Sequence, residues 1–138
     1  VALVFETTDA SMGLVTDLGH VPKGLSKFLD GCQMLLVESN HDPERLASGP
    51  YPEPLKRRVA GSRGHLSNAQ AGDLLAALDY TPADVVLMHL SETNNSPSLA
   101  RQSAEAALGH CGARLAIAAQ RKPLVLGALG DAQLRLAL

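Results

Sequence analysis

Three apolar runs in this chain each end on a group that carries chemistry. The run "GLVTD" stops at Asp17, "MLLVE" at Glu38 and "VVLMH" at His89. Continuous aliphatic runs rich in Val and Leu are what strands buried on both faces require. Such strands belong to sheets covered by helices, and here the segments between them carry helical patterns. A chain with this alternation is constrained to an α/β layered fold. The three polar endings then fall at the carboxyl ends of strands, where ligands gather in sheets of this kind.

The rest of the chain can be placed around those runs. Residues 1–7 and 13–17 read as two strands, and the turn-like "TDASMG" between them predicts a hairpin. "PKGLSKFLD" reads as a short helix with Pro22 in its first turn, Leu25, Phe28 and Leu29 on one face, and Gly31 as its stop. Residues 40–64 carry Pro43, Pro50, Pro52 and Pro54 and read as an inserted stretch of loop and short helices. Asp42 caps the first of these and "PEPLKRRVA" forms the second. An insertion of that length is commonly a functional loop.

In "SNAQAGDLLAALD", Ser67 and Gln70 make a capping box ahead of a stripe of Ala71, Leu74, Leu75 and Leu78. "SPSLARQSAEAALG" is a helix capped by Ser96, opened by Pro97 and closed by Gly109. "ARLAIAAQ" and "PLVLGAL" read as further strands, and 128–138 as a weakly specified tail. The expected organisation is one domain over 1–138.

Composition excludes some classes. Of 138 residues, 46% are hydrophobic and 19% charged, which is globular rather than disordered. The net charge of −2 makes the whole chain no electrostatic trap for nucleic acid, though a local basic patch remains open. No apolar run approaches the roughly 20 residues that cross a bilayer. The opening "VALVFETT" has no basic region ahead of it and begins as if in mid-strand, so a piece of a longer protein is expected. Cys32 and Cys111 are far apart, and free thiols of a cytoplasmic protein are the expectation.

A carboxylate and an imidazole on separate strand ends can hold a divalent metal, and a second such pair can move protons. From the residues alone, Asp17 also fits a helix cap or loop acceptor, and His89 a structural histidine.

The blocks "TDLG", "ESNHD", "GPYPEPLKRR", "RGHLSN" with a following "AG" and "LL", and "HLSETNNSP" stand in this order along the chain. Together they resemble the C-terminal half of metallo-β-lactamase-fold hydrolases. The match is to the bacterial exonuclease-like branch encoded beside a cell-wall two-component system, from Val1 to about Gln120. The resemblance implies an αββα sandwich with a two-metal site at one edge and a mixed sheet with covering helices in this half. It puts Asp17 in the role of the carboxylate bridging both metals and His89 in that of the last histidine ligand. Glu38 and His65 resemble the pair that helps protonate the leaving oxygen, and His65 could equally hold a substrate phosphate.

The implied cofactors are two divalent ions, zinc or manganese. The implied reaction is phosphodiester hydrolysis, in nucleic acid first of all, by a hydroxide activated between the two metals. The family's H-x-H-x-D-H cluster lies upstream and has no counterpart among His20, His41, His65, His89 and His110. The isolated chain is therefore expected to be inactive, to lack its N-terminal half as a partner, and to self-associate through an exposed sheet face.

Other candidates are weaker. Lys56 and Arg57 are assigned to substrate phosphate contacts, while Arg58 is read as part of a solvated helix face, with Arg63 completing the basic cluster. His41 divides evenly between a supporting hydrogen bond behind the site and a structural role. His20 is expected at the surface, Asn94 and Asn95 as ordinary loop residues, and His110 and Cys111 as incidental. Two other functions stay open: a non-catalytic binding or regulatory module, and hydrolysis of a small lactam or thioester, marked by a narrow apolar pocket.

Overall fold

The run Met34–Glu38 becomes β3, the middle strand of a five-stranded sheet ordered β1-β2-β3-β4-β5. The computed structural model describes residues 1–109, 112–126 and 134–136. Its strands are β1 (Ala2–Glu6), β2 (Ser11–Val15), β3, β4 (Asp84–Met88), β5 (Arg114–Ile117), β6 (Leu124–Leu126) and β7 (Leu134–Leu136). Its helices are α1 (Leu25–Phe28), α2 (Pro43–Ser48), α3 (Glu53–Val59), α4 (Asn68–Ala76) and α5 (Pro97–Leu108). β1 and β2 form an antiparallel hairpin, and β2 to β5 run parallel. The sheet is thus mixed, as expected. All residues of β3 and β4 are buried, which explains their unbroken apolar sequence.

One face of the sheet packs under helices. Val15, Leu35, Val37, Val85 and Leu87 meet Leu25 and Leu29, Leu74 and Leu75 of α4, and Ala100 and Ala104 of α5. Gly13 faces the same way, and a Cβ there would come within 2.8 Å of methyl carbons of Leu29 and Leu35. Glycine at that position lets the chain around α1 lie directly on the sheet. The other face carries Met34, Leu36, Val86, Met88 and Ala118, flanked by Met12 and Leu14. Phe5 remains 50% exposed at its edge. A groove of about 700 Å³ runs over this face, lined by Phe5, Met12, Leu14 and Met88 and reaching Asp17 and His89.

Three of the helix caps form as the sequence specified. Ser67 Oγ accepts from Gln70 N at 3.2 Å while Gln70 Oε1 accepts from Ser67 N at 2.9 Å. Asp42 Oδ1 accepts from Arg45 N, and Ser96 Oγ from Leu99 N. Each cap is worth about 1 kcal/mol. Both short helices of the proline-rich stretch are present.

Several expectations are corrected. β2 starts at Ser11, and the turn closes earlier, with Thr7 N donating to Ala10 O. α1 is a single turn that begins after Gly24, whose φ of 86° no continuing helix allows, so Pro22 lies outside it. Phe28 points away from Leu25 and Leu29 and is 54% exposed. Within 128–138, Leu134–Leu136 pairs antiparallel with Leu124–Leu126. His110 and Cys111 lie outside the described residues. Cys32 is buried and free. No helix among the described residues is long and apolar enough to cross a membrane.

Candidate metal centre

Asp17 and His89 are the two non-glycine residues with positive φ among the described residues, at 53° and 58°. Asp17 follows the end of β2 and His89 the end of β4. The left-handed region is uncommon for residues with a Cβ, though Asp and His tolerate it better than most, and such strain clusters at functional sites. In both places the turn swings the side chain off the strand. The carbonyl of His89 is held by Asn40 Nδ2 at 2.8 Å, which fixes this backbone conformation.

The two side chains meet Glu38 and His65. One ligand atom from each of Asp17, Glu38, His65 and His89 lies within 4.8 Å of the other three. Imidazole and carboxylate are the donors that zinc and manganese take. Asp17 Oδ1 lies 3.5 Å from Nδ1 of His65 and 3.9 Å from Nδ1 of His89, so an exposed carboxylate and two imidazoles stand side by side. The donor set fits a divalent cation.

Within the cluster Glu38 differs from the rest. Its side chain is fully buried. Oε1 accepts from Nδ1 of His65 at 2.7 Å and from Nδ1 of His89 at 2.8 Å. Oε2 accepts from the backbone amides of Leu18 at 3.2 Å and Leu66 at 3.4 Å. This is the carboxylate–histidine support found behind metal-binding imidazoles: it fixes each proton on Nδ1 and leaves Nε2 as the outward atom. The hydrogen bond to Glu38 also pushes the pKa of His89 up, against the opposing effect of burial. Asp17, with 56% of its side chain exposed, is the accessible carboxylate.

Two further devices hold the loops together. A Cβ on Gly19 would lie 2.2 Å from the carbonyl oxygen of Gly61, and one on Gly64 would lie 2.0 Å from that of Val59. The loop after Asp17 and the loop before His65 therefore interlock at glycines. Behind them is a buried amide network. Asn68 and Asn95 exchange side-chain hydrogen bonds at 2.9 and 2.8 Å, Ser39 Oγ donates to Asn68 Oδ1, and Asn95 Nδ2 donates to the Ser39 carbonyl. The network ties together the segments that carry Glu38, His65 and His89. Reading Asn95 as an ordinary loop residue missed this role. The signal was the recurrence of asparagine beside serine in "ESN", "LSN" and "TNNS", after β3, at the start of α4 and before α5.

The basic cluster divides differently from the expectation. Leu55, Arg58 and Val59 share one face of α3 and, with Arg63, border a cavity of about 380 Å³ that also touches Asp17 and His65. Glu53, Lys56, Arg57 and Ala60 share the opposite face and border a separate cavity with His41, Pro43 and Leu46. Lys56 is occupied by the Ala47 carbonyl and Glu53. Arg58 and Arg63, not Lys56 and Arg57, flank the four-residue cluster. His41 is 3% exposed, its Nδ1 has no hydrogen-bond partner among the described residues, and burial pushes its pKa down. His20 Nδ1 lies 3.4 Å from the Ser62 carbonyl at the surface.

No protein-family model matches the chain. A protein of Bacillus anthracis named exodeoxyribonuclease YycJ is 35% identical over 100 residues, 72% of this chain. One of Streptococcus pneumoniae strain D39 named exodeoxyribonuclease WalJ is 36% identical over 111 residues, 76% of this chain. The chain is a homologue of the YycJ and WalJ exodeoxyribonucleases. The matched segments make up only 38% and 41% of those relatives' own lengths. The resemblance to the exonuclease-like branch of metallo-β-lactamase-fold hydrolases is thereby borne out.

Proposed function

We propose that this chain supplies one side of the metal centre of a DNA phosphodiesterase. The observation that carries the proposal is the convergence of Asp17, Glu38, His65 and His89, with Asp17 and His89 placed by the two left-handed non-glycine residues among those described. Two divalent ions of the zinc or manganese kind, when bound, supply the Lewis-acid charge for hydrolysis. Asp17 would hold them as a carboxylate ligand and His89 as an imidazole ligand. Glu38, out of reach of any substrate, is a positioning residue that sets both imidazoles. With Nδ1–H held on Glu38, His65 presents Nε2 to the substrate; the ring would have to carry a second proton on Nε2 before the step, pass it to the leaving oxygen and return to the neutral Nδ1–H tautomer.

The remaining ligands come from the upstream half of the family fold, which packs on the apolar groove that ends at Asp17 and His89. That packing role accounts for the groove better than binding of a small lactam or thioester does. Among the described residues no helix covers the groove, and the relatives are named as exodeoxyribonucleases.

The test is metal dependence in the full-length protein. Chelation should abolish degradation of linear DNA, and added Mn²⁺ or Zn²⁺ should restore it. Full activity in excess chelator would count against the proposal.

A further inference from the structure

The cavity of about 380 Å³ beside His65 has a mixed lining, with Leu55 and Val59 on one side, Asp17 and His65 at the cluster, and two arginines, Arg58 and Arg63. Its walls are fixed. His65 N donates to Val59 O at 2.9 Å, and the tight approaches at Gly19 and Gly64 pin the loop that carries Arg63. Arg58 sits at the end of α3, on the face that meets this cavity. Ion pairs among the described residues take up Lys56, Arg101, Arg114 and Arg121, and Arg45 donates to the Asn95 carbonyl. Arg58 and Arg63, like Lys23, Lys27, Arg57 and Lys122, enter none of these, and they are the two of that group that border this cavity.

An enzyme that works from the end of a strand must distinguish that end from the interior. A terminal phosphate is a monoester and carries a charge of about −1.5 to −2 near neutral pH, whereas each internal diester carries a single charge. Two guanidiniums match the dianion in charge, and their planar forks match its oxygens in geometry. The cavity has more than ten times the about 30 Å³ that one water occupies, which is room for a phosphate and its sugar. Asp17 and His65 belong both to the cavity wall and to the four-residue cluster, so a phosphate held there is next to the place of cleavage.

We infer that Arg58 and Arg63 bind the terminal phosphate of a DNA strand and make a phosphorylated end the preferred substrate. The inference rests on the phosphodiesterase proposal and adds to it a specificity determinant.

The test uses the full-length protein with Mn²⁺ and three otherwise identical DNA duplexes, ending in 5′-phosphate, 3′-phosphate or hydroxyl groups alone. Bis(p-nitrophenyl) phosphate, a diester with no strand end, is assayed beside them. One of the two phosphorylated duplexes should be degraded on the order of tenfold faster than the hydroxyl-ended one at limiting DNA. In Arg58→Gln/Arg63→Gln that ratio should fall to about one, mainly through KM, and Arg58→Lys/Arg63→Lys should recover part of it. Equal rates on all three duplexes, or an unchanged ratio in the glutamine variant, would overturn the inference and leave the phosphodiesterase proposal standing. Hydrolysis of neither DNA nor the small diester would overturn both. The wild-type comparison of ends needs no variant, so a misfolded variant does not remove the test.

Discussion

His65 and His89 stand edge to face, with ring centroids 5.0 Å apart, and both place Nδ1 on the same oxygen of Glu38. One buried carboxylate thus orients two imidazoles that arrive from different loops. Replacing it with glutamine keeps the shape and spoils the chemistry. Its NH₂ either meets the amides of Leu18 and Leu66 or turns to the imidazoles and forces both from the Nδ1–H to the Nε2–H tautomer, which takes Nε2 away from a metal. Glu38→Gln should cost about 1–3 kcal/mol for the unmatched buried groups, read from urea denaturation. It should also weaken metal binding about 10–100-fold, read by calorimetry. Wild-type values in both would refute the shared-carboxylate account.

Asn94 and Asn95 are neighbours with opposite predictions. Asn95 makes the buried amide exchange with Asn68, and its Oδ1 also accepts from Ser96 N at 2.8 Å. Asn95→Ala leaves several buried groups unpaired and should cost more than about 2 kcal/mol. Both side-chain polar atoms of Asn94 are buried without partners among the described residues, so Asn94→Ala removes no hydrogen bond. Thermal melts should rank the Asn95 variant well below the Asn94 variant, and equal melting points would argue against the network.

The buried ring of His41 gives a pH signature. Burial lowers its pKa from the ordinary 6.5. The unfolded chain therefore takes up a proton at a higher pH than the folded one, and stability rises with pH across that interval. The contribution is complete above pH 6.5 and is lost as pH falls through 6.5 towards the lower folded value. His41→Phe removes it, so the stability of the variant relative to wild type should grow between about pH 7 and pH 5. The titration of His89 occurs in both proteins and cancels. Parallel pH profiles would contradict the assignment.

The sheet face without helices should be adhesive when residues 1–138 are made alone. Val1, Leu3 and Phe5 are 56%, 43% and 50% exposed, and β1 leaves an open strand edge. Sedimentation should show concentration-dependent association, weakened by Phe5→Glu. A monomer at all concentrations would mean that this face needs no cover.

The strands, the three caps and the strand-end positions of Asp17, Glu38 and His89 were legible because each depends on local pattern, while His65, in the loop before α4, came in only through the resemblance. The sharing of Glu38 was not, since it depends on how the loops after β2, β3 and β4 converge. The division of the basic run was partly legible. Helical spacing separates Lys56 and Arg57 from Arg58, but which face meets Asp17 is set by the Gly61–Gly64 turn that folds α3 back onto His65. Phe28 misled because a single helical turn has too few residues to define an apolar stripe, and Gly24 shortens α1 to that one turn.

The most direct test of the central claim is metal content. In the full-length protein, Asp17→Ala should lose bound zinc or manganese by elemental analysis while keeping its fold. Degradation of linear DNA should fall at least about a hundredfold. Undiminished metal content together with undiminished degradation of DNA would show that Asp17 is not part of the metal centre.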